Sequence, residues 1–165
     1  MKLIPVLMLL PPLLACNSRQ DETIAKKVIS VDSVVSEVAV GMYNPESRLF
    51  IWKSSPDYTK VKNTSSRSEI LNADSLILGL NQLNENVFLT KVKVSGDTIY
   101  TEVKDSQYLA EGMGTTGAEI YLADVVLNLT EIPGINYVNI QMQEGSHMQP
   151  GTWSKESFAK YKPVN

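Results

Sequence analysis

Three neighbouring side chains could together carry acid–base or acyl-transfer chemistry. Glu144, Ser146 and His147 lie within four residues, in a loop that also contains Gly145 and Pro150. A carboxylate, a hydroxyl and an imidazole are the groups that a serine hydrolase uses. Adjacent residues seldom form a triad, however, because its members converge from separate elements. We therefore expect His147, the only histidine, to order this loop through a hydrogen bond, and a hydrolase that uses the loop remains an alternative.

The only cysteine ends the motif Leu13-Leu14-Ala15-Cys16, after a basic Lys2 and the apolar residues 3–14. A charged start, a short apolar stretch and a small residue before the cut are typical of a secretory signal, whereas a membrane-spanning helix needs about 20 apolar residues. The segment resembles a bacterial lipoprotein signal, in which the cysteine is linked to diacylglycerol and becomes the acylated, palmitate-carrying N-terminus. An ordinary N-terminus with a buried cysteine is the alternative.

These features predict four segments. They are a signal peptide at residues 1–15, a lipidated cysteine with a flexible tether at 16–35, a folded domain at 36–160 and a C-terminal tail at 161–165. The polar residues after Cys16 favour a solvated tether. We expect a protein held by lipid at a membrane of the bacterial cell envelope, on the periplasmic face or at the cell surface.

Composition argues against several function classes. The chain has 15 basic and 18 acidic residues, and loss of residues 1–15 would remove Lys2 and no acid, changing the net charge from −3 to −4. Nucleic acid binding favours a basic surplus, so we expect none. One cysteine and one histidine leave no zinc ligand set and no intramolecular disulfide. No glycine-rich phosphate loop or Gly-x-Ser-x-Gly motif is present, and we expect no cofactor, no metal and no catalysis.

Turn residues between β-rich runs predict two hairpins. The first pairs Val38–Tyr43 with Leu49–Trp52 across a proline-containing turn, and a polar loop follows at Ser54–Ser65. The second pairs Val87–Val94 with Ile99–Val103 across a glycine-containing turn.

Two helices and a last strand complete the prediction. Capping patterns start the helices at Ser66–Glu69 and Thr116–Glu119, and alternation marks a strand at Ile135–Met142. The order β-β-α-β-β-α-β predicts a single α+β domain, a mixed sheet with both helices on one face. The helical positions that we expect to face the core are Ile70, Ala73, Ile77 and Leu80 in the first helix and Ala118, Tyr121, Leu122, Val125, Val126 and Leu129 in the second.

The second helix carries another apolar stripe, Ile120, Ala123 and Leu127, nearly opposite its core stripe. Between the two stripes lie narrow polar edges. One sheet cannot cover both stripes. Either the first helix or the C-terminal aromatic residues cover the second stripe, or it is exposed and binds an envelope protein or a second copy of the chain. The polar edges comprise Glu119, Asp124, Asn128 and Glu131, and the C-terminal aromatic residues are Trp153, Phe158 and Tyr161.

From about Val38 to Phe158 the chain resembles the GerMN domain, a family named for sporulation and spore germination proteins and found on many bacterial lipoproteins. The resemblance implies a fold similar to ring-building-motif domains, a role in assembly or in binding other envelope proteins, and no established catalytic residues. The chain contains one such domain rather than a tandem pair. The segments that carry the resemblance are Ala73–Leu83, Val87-Phe88, Tyr108-Leu109, Gly114–Ala118, Ile135–Val138 and Glu144–Gly151.

A small-ligand carrier is a further alternative. Aromatic side chains from Trp52, Tyr100, Tyr108 or Tyr121 would then line a pocket between sheet and helices. Aromatic residues at such spacings are more often part of the core. A polar-lined cavity of several hundred cubic ångströms would favour the carrier.

Overall fold

The structure is a computed structural model, and it describes residues 49–64 and 72–164. Cys16, the predicted signal peptide and tether, the predicted strand Val38–Tyr43 and the capping box Ser66–Glu69 lie outside the described residues. The described strands are β1 Trp52–Ser54, β2 Thr59–Lys62, β3 Leu89–Ser95, β4 Thr98–Val103, β5 Tyr137–Met142, β6 Gly151–Ser154 and β7 Lys162–Val164. The described helices are α1 Ala73–Leu83, a π-helix Tyr108–Gly112, α2 Gly114–Leu129 and a 3-10 helix Lys155–Phe158.

The larger sheet has the strand order β3-β4-β5-β6 and is mixed, because β4 and β5 run parallel while the two outer pairs are antiparallel. Parallel neighbours need a long crossover, and the π-helix and α2 supply it. The β3–β4 turn is the predicted one, with Gly96 at φ 61°, a left-handed conformation that glycine adopts without a steric penalty. The predicted α+β class is confirmed.

The strand β5 confirms the predicted alternation. Val138 and Ile140 are completely buried, whereas Tyr137 and Gln141 are exposed. The helix α1 likewise buries Ile77 and Leu80. It starts at Ala73 because the Asn72 side chain accepts a hydrogen bond from the Ser75 amide at 2.9 Å, which caps the first turn.

The helix α2 differs from the prediction at its start and in its surroundings. It begins at Gly114 without a side-chain cap, because the π-helix runs directly into it and the Met113 amide bonds to the Tyr108 carbonyl at 2.7 Å. The predicted capping role of Thr116 is therefore wrong. Every residue from Ala123 to Thr130 is buried, so this half of the helix has no free face. It packs against the larger sheet, against α1 and against β1.

The smaller sheet, with the order β1-β2-β7, is the main departure from the prediction. The predicted strand Leu49–Trp52 starts its regular pairing only at Trp52. The amides of Ile51 and Trp52 donate to the Asn128 side chain. The neighbouring strand β2 lies in the predicted polar loop, and β7 occupies the predicted C-terminal tail and runs parallel to β2.

The β1–β2 turn contains a signal that the sequence prediction missed. The Tyr58 amide bonds to the Ser55 carbonyl at 3.1 Å, and Tyr58 itself has φ 60°. A turn followed by one left-handed residue is a common hairpin connection, and Ser-Pro-Asp is a typical turn sequence. The segment Ser55-Pro56-Asp57 could therefore have marked this hairpin.

Candidate functional site

The loop Glu144–Gln149 lies on the π-helix. The His147 amide donates to the Ala110 carbonyl at 3.0 Å, and the Gly145 amide donates to the Met148 carbonyl at 3.0 Å. A Cβ atom at Gly145 would overlap the side chain of Ala110, so this close approach requires glycine. Met148 is buried and fixes the loop to the core. Backbone hydrogen bonds and the buried Met148 side chain thus both hold the loop in place.

The side chains of this loop bond to separate partners. The Ser146 amide and hydroxyl donate to the two carboxylate oxygens of Glu111, at 3.0 and 2.8 Å. His147 Nδ1 lies 3.1 Å from the Thr115 hydroxyl, and Gln149 donates to Glu144 at 3.0 Å. The amide of Ser146, followed by its hydroxyl, lowers the pKa of Glu111 below its ordinary value. The expected loop-ordering hydrogen bond of His147 is present.

This geometry does not assemble the three residues that the sequence placed side by side. A nucleophile must bond to its base, and the base to an orienting group. The Ser146 hydroxyl bonds to Glu111 instead, while the His147 imidazole bonds to Thr115. The arrangement suits a rigid loop better than a serine–histidine pair.

Two open cavities flank the π-helix and share Asp105, Gln107 and Glu111 in their linings. Their volumes are about 510 and 430 Å³. We call this double depression the π-helix groove. A π-helical turn inside a helix is frequent at functional sites. The remaining lining residues are Asn86, Lys104, Ser106, Tyr108, Ala110, Gly112, Gln143 and Glu144.

The aromatic residues proposed for a pocket do not come together. Tyr121 belongs to the core, Tyr100 lies under the Lys93 ammonium at 4.9 Å, and Trp52 lies under that of Lys60 at 4.7 Å. Only Tyr108 among the four lines the π-helix groove, where 42% of its surface is exposed.

The second apolar stripe of α2 is not an exposed surface. Ala123 and Leu127 are buried and belong to the core, and Ile120 is half-buried. Phe158 and Tyr161 belong to the same core. The alternative of an exposed binding stripe is therefore wrong for Ala123 and Leu127, and the alternative of a covered stripe is confirmed, because α1, β1 and the C-terminal segment supply the cover that one sheet could not.

The polar edge of α2 holds β1 in place. Asn128 accepts from the amides of Ile51 and Trp52 at 2.5 and 3.0 Å and donates to the Trp52 carbonyl at 2.7 Å. Asp124, one turn earlier, accepts from the Ser54 amide at 2.6 Å. The sequence prediction noted these polar residues but not their role. Their spacing of four on an apolar helix was the available signal.

Burial dominates the electrostatics of Asp124. Loss of solvent raises the pKa of its carboxyl from 3.8 to about 7, against the opposing effect of the Ser54 hydrogen bond. Burial also raises the pKa of Tyr121, and the charge of Asp124 adds to this effect. The Tyr121 hydroxyl has no hydrogen-bond partner among the described residues. A buried carboxyl therefore lies at the junction of α2 and the smaller sheet.

Two further findings bear on function. Within residues 49–64 and 72–164, no three His, Cys, Asp or Glu side chains are grouped so that they could hold a metal ion. Among the described helices, none has the length and apolar character needed to cross a membrane.

Comparisons of this chain with models of known protein families, with curated proteins and with solved structures find no match. The assignments to the lipoproteins and to the GerMN family stay predictions from the sequence.

Proposed function

We propose that the chain is a lipid-anchored bacterial envelope protein whose folded domain is a non-catalytic interaction module. The observation that carries the anchor is Cys16, the only cysteine, directly after Ala15 and a short apolar run. A short basic and apolar leader of this kind is a secretory signal rather than a membrane span. The resemblance to GerMN domains supports a role in binding or assembly with another envelope protein.

The anchor is tested by replacing its sulfur. In a bacterial host that acylates lipoproteins, the wild-type chain is expected in the membrane fraction, and its N-terminal peptide should carry diacylglycerol and an acyl chain at Cys16. The variant Cys16→Ser should be soluble after extraction, while Ser18→Ala, a nearby matched control, should remain with the membrane. An unmodified Cys16 in wild-type protein would overturn the anchor.

We assign the π-helix groove to the partner. Its wall combines the exposed ring of Tyr108 with the carboxylate of Glu111, which is fixed by two hydrogen bonds. A rigid frame costs less conformational entropy when a partner binds. Exposed aromatic residues are also common anchors in protein interfaces.

Crosslinking in cells tests this assignment. The variant Tyr108→Ala should lose a crosslinked partner that the wild type retains. Tyr137→Ala is the matched control, because Tyr137 is similarly exposed, at 44% against 42%, but lies on β5 away from the groove. Equal capture by both variants would remove the groove from the proposal.

A second candidate function is the binding of a small polar ligand in the same groove. The larger cavity, about 510 Å³, falls within the size range of about 300–1,000 Å³ that is usual for ligand sites. Native mass spectrometry of protein purified from cells distinguishes the two. A bound small molecule that is lost in Tyr108→Ala would favour the carrier over the protein-binding module.

A further inference from the structure

The smaller sheet presents one face to α2 and the other to solvent. Ser54 and Trp52 point towards α2, since Ser54 is buried and the Trp52 indole donates to Glu131 at 3.2 Å. Side chains alternate along a strand, so Lys53 lies on the opposite face. The register places Lys53, Val61 and Val164 side by side across the three strands, with Thr59 and Lys162 in the next row. We call these five residues the outer face.

The outer face is both apolar and basic. Val61 and Val164 are 48% and 42% exposed, and Lys53 and Lys162 are exposed beside them. The three strands contain four lysines and no acidic residue, although the whole chain has 18 acidic and 15 basic residues. Positive charge is therefore concentrated on this sheet against the balance of the chain.

The other two lysines of the sheet, Lys60 and Lys62, lie on the opposite face, over the Trp52 ring. Burial is the main cause that lowers the pKa of Lys60, and the charges of Lys155 and Lys162 lower it further while Glu131 opposes them. These ammonium groups are thus close enough to repel one another. An acidic side chain, Asp57, borders the outer face at the β1–β2 turn, where its carboxylate accepts from the amide and hydroxyl of Thr59 at 3.2 and 2.7 Å.

We propose that the outer face docks on the surface of an anionic phospholipid bilayer. Lysine ammonium groups attract anionic headgroups, and each one near the surface strengthens binding about fivefold. The two exposed valines between them can enter the headgroup region, and Tyr58, which is 45% exposed at the adjoining turn, suits the interface between water and lipid. Docking orients the domain on the membrane.

The location of this contact in the cell, but not the lipid binding itself, rests on the proposed acylation of Cys16. The described chain enters β1 only three residues after Leu49. The smaller sheet therefore contains the first described strand after the proposed tether. An acyl group at Cys16 would keep the folded domain, and this sheet with it, at high effective concentration near the bilayer.

The test uses residues 16–165 with Cys16→Ser, which is the proposed mature chain without its acyl groups. Co-sedimentation should show binding to vesicles of phosphatidylcholine with 30% phosphatidylglycerol, weaker binding in high salt, and little binding to pure phosphatidylcholine. Reversing both outer lysines, Lys53→Glu with Lys162→Glu, should weaken binding by at least about 25-fold. The matched control, Lys93→Glu with Lys104→Glu, makes the same change in net charge away from this sheet and should weaken it much less.

Circular dichroism checks the fold of each variant, and the milder pair Lys53→Gln with Lys162→Gln replaces the reversal if that variant does not fold. Equal binding to both vesicle types, equal losses in test and control variants, or dimerisation through the outer face without vesicle binding would overturn the proposal. Absence of vesicle binding overturns the docking proposal and leaves the proposed acylation of Cys16 intact. Conversely, an unmodified Cys16 in cells would overturn the anchor but would not change the expected binding to vesicles.

Discussion

The buried carboxyl of Asp124 predicts an unusual pH dependence of stability. Its pKa in the folded protein is raised from 3.8 to about 7 by burial. At about 1.4 kcal/mol per pKa unit, this difference corresponds to about 4 kcal/mol. The folded state holds the proton more tightly than the unfolded state. The contribution of protonated Asp124 to the free energy of unfolding is therefore complete below about pH 4, declines as the pH rises to about 7, and is absent above pH 7.

The substitution Asp124→Asn isolates this effect. In the wild type the Ser54 amide donates to the Asp124 carboxylate at 2.6 Å. Asparagine retains an oxygen that can accept this hydrogen bond, but it cannot ionise. We expect its free energy of unfolding to match that of the wild type within about 1 kcal/mol at pH 4 and to exceed it by up to about 4 kcal/mol at pH 8.

Urea unfolding followed by tryptophan fluorescence, repeated between pH 4 and pH 8, measures the difference. Glu85→Gln is the matched control, because Glu85 is exposed and its removal should leave the pH profile parallel to that of the wild type. If the profile of Asp124→Asn also remains parallel to the wild type, burial does not hold the proton on Asp124 and the reasoning fails.

Three other tests, two of them with a control substitution, examine the packing of α2 and of the loop. Leu127→Asp places a charge in the core and should prevent folding or lower the free energy of unfolding by at least about 3 kcal/mol. The control Ile120→Asp, at a half-buried position, should lower it much less. Similar melting temperatures for the two variants would contradict the covered stripe. Asn128→Ala removes the hydrogen bonds to β1 at a completely buried position. The free energy of unfolding, measured in urea, should fall by about 2–4 kcal/mol, and amide hydrogen exchange in β1 should become faster. Unchanged exchange in β1 would show that the Asn128 side chain does not hold this strand. Gly145→Ala should lower the free energy of unfolding by about 1–3 kcal/mol, because its Cβ atom would overlap Ala110. The control Ser146→Ala, at the exposed neighbouring position, should lower it less. A lower melting temperature for Ser146→Ala than for Gly145→Ala would argue against a tightly packed loop.

Local patterns predicted those elements that local physics specifies. The glycine turn between β3 and β4, the alternation in β5 and the core positions Ile77 and Leu80 in α1 all follow from periodicity and turn chemistry within a few residues. The same rules failed at the start of α2, where Thr116 matched a capping pattern. The preceding π-helix already continues into α2 there, so that Thr116 lies inside the helix and not at its start.

At the candidate site, too, local sequence patterns predicted local features and missed contacts between distant segments. The sequence identified the loop Glu144–His147 and predicted an ordering hydrogen bond of His147. It could not supply the partners, which are Glu111 for Ser146, 35 residues away, and Thr115 for His147, 32 residues away. The cavities beside the π-helix likewise depend on how separate segments meet. A surface depression has no periodic signature in one stretch of chain.

The sequence by itself determined the α+β class, the second hairpin and the amphipathic faces. Only the tertiary structure decided that the second stripe of α2 is covered, that Asp124 is buried and that a basic sheet forms from the two ends of the described chain. The physical reason is that periodicity reports which face of an element is apolar, whereas burial depends on what meets that face. Here the meeting partners are distant, as in the bond between Ser54 and Asp124, which spans 70 residues.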